Sequence, residues 1–494
     1  MRYLIPFLLF GILLTTYACR QDRIFYGESD AMLQFSLDTL RFDTVFTEVG
    51  SATRILKIYN TYDQPIRISN ISVESGSDTR FRFNVDGFAS NEVQDIEIAG
   101  NDSLYIFGEV TVDPDAPLSV SPYVIEDHLV FETNGNTQRV LLEAWGQNAN
   151  YIPNRFNMGG IASLTCDGGE ITWDDPKPYV VYGLLLIDDC TLNIPPGTKI
   201  YVHGGITRND QFGVYNDGFI WALENGTIVA TGTKEEPVII QGDRLEEGFA
   251  EIEGQWTGVI LGKNSKGHRF EHTIIKNSRF GIFADSNSTV SIKNAQFANF
   301  IQSGILAFHS TIDAENTLVY NSNGNSVQLL FGGDYDFDYC TVASYGVDAS
   351  AIGMSNFFCY DQNCQIAEAY RLNADFTNCI FYGSKRDEIV LSDGFEGEQP
   401  ETFNYNFTNC IVRIDELTDE PAYADFFENH CENCLNPAPT EAIFVDANED
   451  IYLLDTLSVA EKMAIPLPDI LLDLEENERD LERPDIGAFE YQYQ

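Results

Sequence analysis

Asp334-Tyr335-Asp336-Phe337-Asp338 places three carboxylates on one side of an extended segment and two aromatic rings on the other, because side chains alternate along a strand. Carboxylates in pairs do acid and base work when they flank a glycosidic bond. Clustered ones gather hard cations such as Ca²⁺. The same pattern also arises as a solvated face over a Tyr/Phe core. Asp334, Asp336 and Asp338 are the candidate carboxylate site with these three outcomes open, and no residue is assigned as catalytic. Sulfur is the second reactive group. Phe337-Asp338-Tyr339-Cys340, Phe376-Thr377-Asn378-Cys379 and Phe407-Thr408-Asn409-Cys410 repeat one pattern. It predicts a stack of buried thiols at Cys340, Cys379 and Cys410, whose parallel side chains disfavour bonding. Cys359 with Cys364, and Cys431 with Cys434, are predicted as local disulfides, with a four-cysteine zinc site as the alternative.

Other chemistries fit less well. Elimination on an acidic glycan needs Arg or Lys to hold carboxylates and the developing enolate charge, yet residues 294–370 contain neither. Lys263, Lys266, Arg269, Lys276, Arg279 and Lys293 precede that gap and read as solvated corners. His268 and His272 read as polar corner residues, and Trp256 as a core cap. Seventy-six acidic against 29 basic side chains give a net charge of −47 at pH 7, which repels nucleic acid and anionic lipid headgroups. The acidic run Asp473, Glu475, Glu476, Glu478 and Asp480 lacks an Asp-x-Asp-x-Asp-Gly loop and reads as a solvated cap, with Ca²⁺ as its alternative and no other cofactor expected.

These groups need elements to hold them. Gly258-Val259-Ile260-Leu261, Gly281-Ile282-Phe283-Ala284, Gly304-Ile305-Leu306-Ala307 and Ser326-Val327-Gln328-Leu329 begin 23, 23 and 22 residues apart. A second recurring strand lies between them: 270–275, 292–297, 312–318 and 337–342. Strand, polar corner, strand at this period is too short for a propeller blade and fits coils of a parallel β-helix stacked about 4.8 Å apart. Earlier in the chain, 54–60 and 66–69 alternate with period two around Gln64-Pro65. Asn134-Gly135-Asn136 is a hairpin turn between 129–131 and 140–142. That predicts a β-sandwich.

Leu192-Asn193-Ile194-Pro195-Pro196-Gly197-Thr198, Gly226-Thr227-Ile228-Val229-Ala230-Thr231-Gly232-Thr233 and Gln255-Trp256-Thr257-Gly258 resemble the opening coils of right-handed, pectin-lyase-like parallel β-helix proteins of bacterial surfaces. Phe444-Val445-Asp446 and Arg483-Pro484-Asp485-Ile486-Gly487-Ala488-Phe489 resemble the closing segment of choice-of-anchor proteins in that group. The resemblance implies a scaffold that carries lyases, glycosidases, adhesins and inert stalks alike. The sandwich resembles the immunoglobulin-like modules that precede such domains. Arg2, apolar 4–14 and Ala18-Cys19 resemble a bacterial lipoprotein signal, which implies lipidation at Cys19. The resulting expectation is an all-β chain. It comprises a signal peptide (1–18), a lipidated tether (19–30), an immunoglobulin-like sandwich (31–146), a right-handed parallel β-helix (147–440) and an acidic C-terminal cap (441–494). In function it is an exported outer-membrane lipoprotein, held to the membrane by its lipid and presenting a non-catalytic surface to a glycan or surface protein. The alternative is a carbohydrate-active enzyme on the β-helix. Oligomeric state stays open.

Overall fold

A computed structural model describes residues 24–46, 53–111, 123–147, 149–152, 161–209, 213–245, 248–361, 364, 366–395 and 399–492. The signal segment and Cys19 lie outside these residues. The chain divides into two compact units, Met1–Asn148 and Ala149–Gln494.

In the first unit two five-stranded sheets face each other. Alternation drives it: Arg54–Tyr59 buries Leu56 and Ile58, Phe81–Val85 buries Phe81, Phe83 and Val85, and Ile66–Val73 buries Ile66, Ile68, Ile71 and Val73. Each strand thus gives one face to a common core and the other to water. The Tyr123–Thr133 and Asn136–Gln147 strands form the expected hairpin. Its turn works because Asn134 (φ 48°) and Gly135 (φ 82°) accept left-handed backbone. The sandwich is antiparallel except where Thr39–Phe46 runs parallel to Asn136–Gln147.

The second unit is a parallel β-helix. Val259, Ile282, Ile305 and Val327 are register partners on successive coils, which accounts for the 22- to 23-residue period. Each coil has three strands where the sequence pattern suggested two. The expected strand 270–275 is two strands, His268–Glu271 and Thr273–Ser278, folded around His272. His272, Asn294, Asn316, Tyr339, Asn378, Asn409 and Asn433 all take φ between 42° and 57° at this corner. Asparagine tolerates that conformation, and the amides also bond along the stack: Asn316 Nδ2 donates to Asn294 Oδ1 at 3.0 Å. A one-residue corner leaves no gap in hydropathy, so the two strands read as one.

The first face runs through Gly258–Leu261 and Ile282–Ala284, and the second through His268–Glu271 and Thr289–Lys293. The long strands Ile305–Glu315 and Val327–Asp338 cross from first to second, so both faces belong to one seventeen-stranded sheet. The third face is a ten-stranded sheet that includes Thr273–Ser278, Leu318–Ser322, Thr341–Ser344 and Ile380–Gly383. Inward Ile, Val, Leu, Ala and Phe from all three faces form one core.

The closing segment lies along the third face, not across the open end of the coil. Phe444, Tyr452, Leu454, Ile470, Ile486, Ala488 and Phe489 pack on Leu318, Tyr339, Ala343, Ile380, Tyr382 and Ile411. Arg479, 4% exposed, anchors it. Its guanidinium sits 3.8 Å from the Tyr339 ring centre, donates to Asn316 Oδ1 at 2.8 Å and lies 3.5 Å from Glu490. Asp473 is fully buried and accepts from the backbone of Glu475, Asn477 and Glu490. Part of the acid run therefore folds the segment. The last rung is instead closed by Leu417 and Phe426, the latter 5.6 Å from Phe407.

Candidate functional site

The second face carries the chemistry. On Val327–Asp338, Tyr335 and Phe337 enter the core, while Asp334 and Asp336 are exposed and Asp338 is half-buried. Register then brings up residues that the linear motif did not contain. Ser291, Asp313, Asp336, Asp375 and Asn406 form one column across successive rungs, and Lys293, Glu315, Asp338, Thr377 and Thr408 a second. A third holds Thr289, Thr311, Asp334, Asn373 and Asn404. Neighbouring rungs lie about 4.8 Å apart and alternate rungs about 9.6 Å. Asp336 therefore stands one rung from Asp313 and one from Asp375, and Asp313 and Asp375 stand two rungs apart.

Hydrogen bonds fix the rim of this acid patch. Asn373 Nδ2 donates to Asp334 at 2.7 Å, Asn406 Nδ2 to Asp375 at 2.9 Å, and Lys293 Nζ to Glu315 at 2.6 Å. Asp336 and Asp338, at the centre, feel their neighbours' charge. Burial raises the Asp336 carboxyl, and Asp313 and Asp375 on the flanking rungs raise it further. Asp338 is pushed up to about 6, first by burial and then by Asp336, against a bond from Thr377. Beside Asp313 the face dips into a shallow groove of about 320 Å³ lined by Arg269, Thr289, Ser291 and Thr311. A larger recess of about 930 Å³ lies on the sandwich, lined by Thr53, Arg82, Phe107 and Glu109. It brings no acid pair or nucleophile together among the described residues, so chemistry favours the smaller groove. Among the described residues no group of three or more His, Cys, Asp or Glu converges as a metal site.

Cys359 and Cys364 are joined, at the tip of a hairpin between Phe357–Cys359 and Ala367–Ala369. Cys431 and Cys434 are free thiols in place of the expected second disulfide. The two thiols are in hydrogen-bond contact with each other, and Cys434 also joins the thiol stack. Cys340, Cys379 and Cys410 donate their thiols to the carbonyls of Ala314, Phe337 and Phe376, and Cys434 donates to the next in that series, Phe407. Cys434 is thus a fourth rung of the thiol stack, directed by its place in the coil. Asn433-Cys434-Leu435 repeats Asn378-Cys379-Ile380 and Asn409-Cys410-Ile411, a signal that identifies it. Cys166 and Cys190, 24 residues apart, form a disulfide between neighbouring coils. That separation is one coil length, which the repeat period makes legible.

His268 is buried, and its neutral ring is fixed by two bonds: the Ile228 N–H donates to Nδ1 at 3.1 Å, and Nε2 lies 2.8 Å from Ser265 Oγ. Burial lowers its pKa to about 4. His272 occupies the αL corner with Nε2 3.5 Å from Glu476. Trp173 and Trp256 are core residues. One pairing escaped the sequence: His203 Nδ1 lies 2.7 Å from Asp243 on the adjoining rung, and forty residues of separation give no local signal.

No family model and no curated protein matches the chain. Among solved structures, the chain is similar to a protein of unknown function from Porphyromonas gingivalis, with 15% identity over 28% of this chain and 60% of that one and a TM-score of 0.17. The catalytic domain of a GH87 alpha-1,3-glucanase in complex with nigerose gives 9% identity over 73% of this chain and 82% of that one, with a TM-score of 0.16. Dex49A from Penicillium minioluteum gives 9% identity over 73% of this chain and 66% of that one, with a TM-score of 0.18. The chain thus spans less than two thirds of the length of the Porphyromonas protein and of Dex49A. Its own strand register defines it as a parallel β-helix preceded by a two-sheet sandwich.

Proposed function

We propose that this is an exported surface protein that engages a glycan on the second face of its β-helix. One observation carries the reading: Asp313, Asp336, Asp375, Glu315 and Asp338 fill two neighbouring columns on adjoining rungs, with Asp313 lining a groove, instead of being dispersed over coil corners. Hydroxyl-rich ligands suit a surface of carboxylate, amide and threonine groups at fixed spacing, because each column offers a repeated set of acceptors and donors. Cys19 carries the lipid that attaches the chain to the outer membrane, and 31–146 is the immunoglobulin-like spacer. No helix among the described residues is long and apolar enough to cross a membrane.

Hydrolysis is the second reading. It is favoured by Asp338, which retains its proton to about pH 6 next to carboxylates on the same face. A protonated acid beside an ionised partner is the arrangement glycoside cleavage uses. Calorimetry of the full chain against a panel of oligosaccharides, with reducing ends assayed in parallel, separates the two. Binding without product supports presentation alone. Product lost in Asp338→Asn supports hydrolysis, and a panel with neither binding nor product removes both. Mass spectrometry of the mature N-terminus tests the anchor, which fails if Cys19 carries no acyl group.

A further inference from the structure

The recess on the sandwich brings binding groups together where it brings no reactive ones. Its floor is the outer side of the sheet that contains Arg54–Tyr59, Ser103–Val110 and Phe81–Val85. Leu56, Ile58, Leu104, Ile106 and Phe83 face the core, so alternation turns Ile55, Tyr105, Phe107, Arg82 and Glu109 outward. Ile55 is 50%, Tyr105 47% and Phe107 40% exposed, and Ile55 stands opposite Phe107. The Tyr105 and Phe107 rings lie 6.5 Å apart and 21° from parallel, so their faces look the same way. Lys57, the cross-strand partner of Tyr105, fixes that ring: its ammonium donates to the tyrosine hydroxyl and sits 5.1 Å from the ring centre. Beside Phe107, Arg82 and Glu109 are register partners, yet among the described residues neither side chain makes an ion pair or a hydrogen bond. Asn84, opposite Phe107 on the other side, accepts the Gly87 N–H at 2.9 Å and keeps its amide hydrogens.

We propose that this recess is a binding site for a neutral oligosaccharide, with pyranose rings against Phe107 and Tyr105 and hydroxyls bonded by Arg82, Asn84 and Glu109. It goes beyond the reading of the second face and does not depend on it, because the sandwich makes its own contact with glycan. The chemistry selects the ligand class. A recess of about 930 Å³ with aromatic and aliphatic walls and a few polar groups is of the size and kind that holds small ligands. A pyranose has an apolar C–H face for the aromatic rings and a polar rim. A guanidinium fork, an amide and a carboxylate side by side give donors and acceptors to neighbouring hydroxyls on that rim. The opposite charges of Arg82 and Glu109 also cancel, so an ionic ligand meets one repulsive group for each attractive one. A peptide adding as a strand finds no open edge here: the Phe83 N–H donates to Asn91 Oδ1 at 3.0 Å, and Asn91 Nδ2 donates to the Phe81 carbonyl at 2.8 Å. With Tyr105 already held by Lys57, ordering that ring on binding costs little.

The test is calorimetry on the full chain and on a protein whose second face is disabled by Asp336→Asn with Asp338→Asn. The probes are cellohexaose, maltohexaose and mannohexaose, with a galacturonate hexamer and a glucosamine hexamer as charged counterparts. At least one neutral hexaose is expected to bind the disabled protein, and to bind it more tightly than either charged probe. In that protein Phe107→Ala, Arg82→Ala and Glu109→Ala should each weaken the neutral sugar about tenfold. Melting temperatures are recorded alongside; if Phe107→Ala proves unstable, Glu109→Ala, at an exposed position, decides the matter. A charged hexamer that binds the disabled protein more tightly than every neutral one overturns the proposal. Neutral-sugar binding that vanishes in the disabled protein, and that Phe107→Ala and Glu109→Ala leave unchanged in the parent, overturns it too and leaves the second-face reading standing. Binding that survives the disabled second face and falls only with the sandwich variants supports the proposal and removes the second-face reading. No binding by any probe overturns both.

Discussion

Replacing Asp338 by Asn removes a charge that the folded protein holds at a cost. Its carboxyl is raised from an ordinary 3.8 to about 6, so the native state favours the protonated form. The stabilising contribution of that proton is complete below pH 3.8 and is lost as pH rises through about 6. Each pH unit of difference is worth about 1.4 kcal/mol, giving at most about 3 kcal/mol at pH 8. Asp338 is only partly buried, and solvent screening reduces this to about 1–2 kcal/mol. Asn keeps the shape and removes the repulsion with Asp336. In scanning calorimetry at pH 8, Asp338→Asn should therefore melt about 1–3 °C above the parent. At pH 4.5 the gain should shrink toward zero, because the parent is then protonated. The comparison has to be made between the two proteins, because His268 acts in the opposite direction over the same pH range and flattens the parent's own profile. An equal shift at both pH values, or destabilisation at pH 8, would show that the charge is not held at a cost, and the acid patch would lose its electrostatic focus.

His268→Gln isolates that opposing contribution. Burial lowers the histidine to about 4, so its stabilisation is present above pH 6.5 and is lost as pH falls toward 4; the deficit of the variant against the parent should grow as pH rises from 4 to 6.5. Arg479→Met leaves Glu490 and Asp485 buried without their cation, and should cost about 3–5 kcal/mol. Proteolysis after residue 436 should quicken well before the coils melt, and an unchanged cleavage rate would contradict the anchoring role. Replacing Cys166 and Cys190 together by Ser opens a loop of one coil and should cost about 3 kcal/mol. Hydrogen exchange is expected to rise first at Gly169–Thr172 and Cys190–Ile194.

Periodicity made the coil legible because each rung buries the same inward positions, so Gly258, Gly281 and Gly304 recur at one interval. Gly258 also shows why glycine is required there: with φ 137°, an added Cβ would sit 2.2 Å from the Phe280 carbonyl oxygen. The corners were less legible. A single αL residue turns the chain without breaking the hydrophobic run, so His272 and Asn294 were absorbed into strands. The acid patch was half legible. Alternation placed Asp336 on the surface, but Asp313 and Asp375 reach it only through register across rungs, which a linear pattern does not contain. Cys434 carries two signals at once: it lies three residues from Cys431, whose thiol it contacts, and it matches the Asn-Cys pattern of the stack. The course of the closing segment, from Arg479 to Asn316, depends on contacts across 163 residues that no local signal encodes.

That return path bears on how the chain is made. The outer side of the third face is greasy at Leu318, Tyr339, Ile380, Tyr382 and Ile411, and what shields it, Phe444 to Phe489, follows all the rungs in the chain. A solenoid that otherwise grows rung upon rung must therefore wait, with its flank bare, until this segment is available. Truncation after residue 436 should yield coils that look complete and still aggregate, which makes this segment a checkpoint on the rungs beneath it.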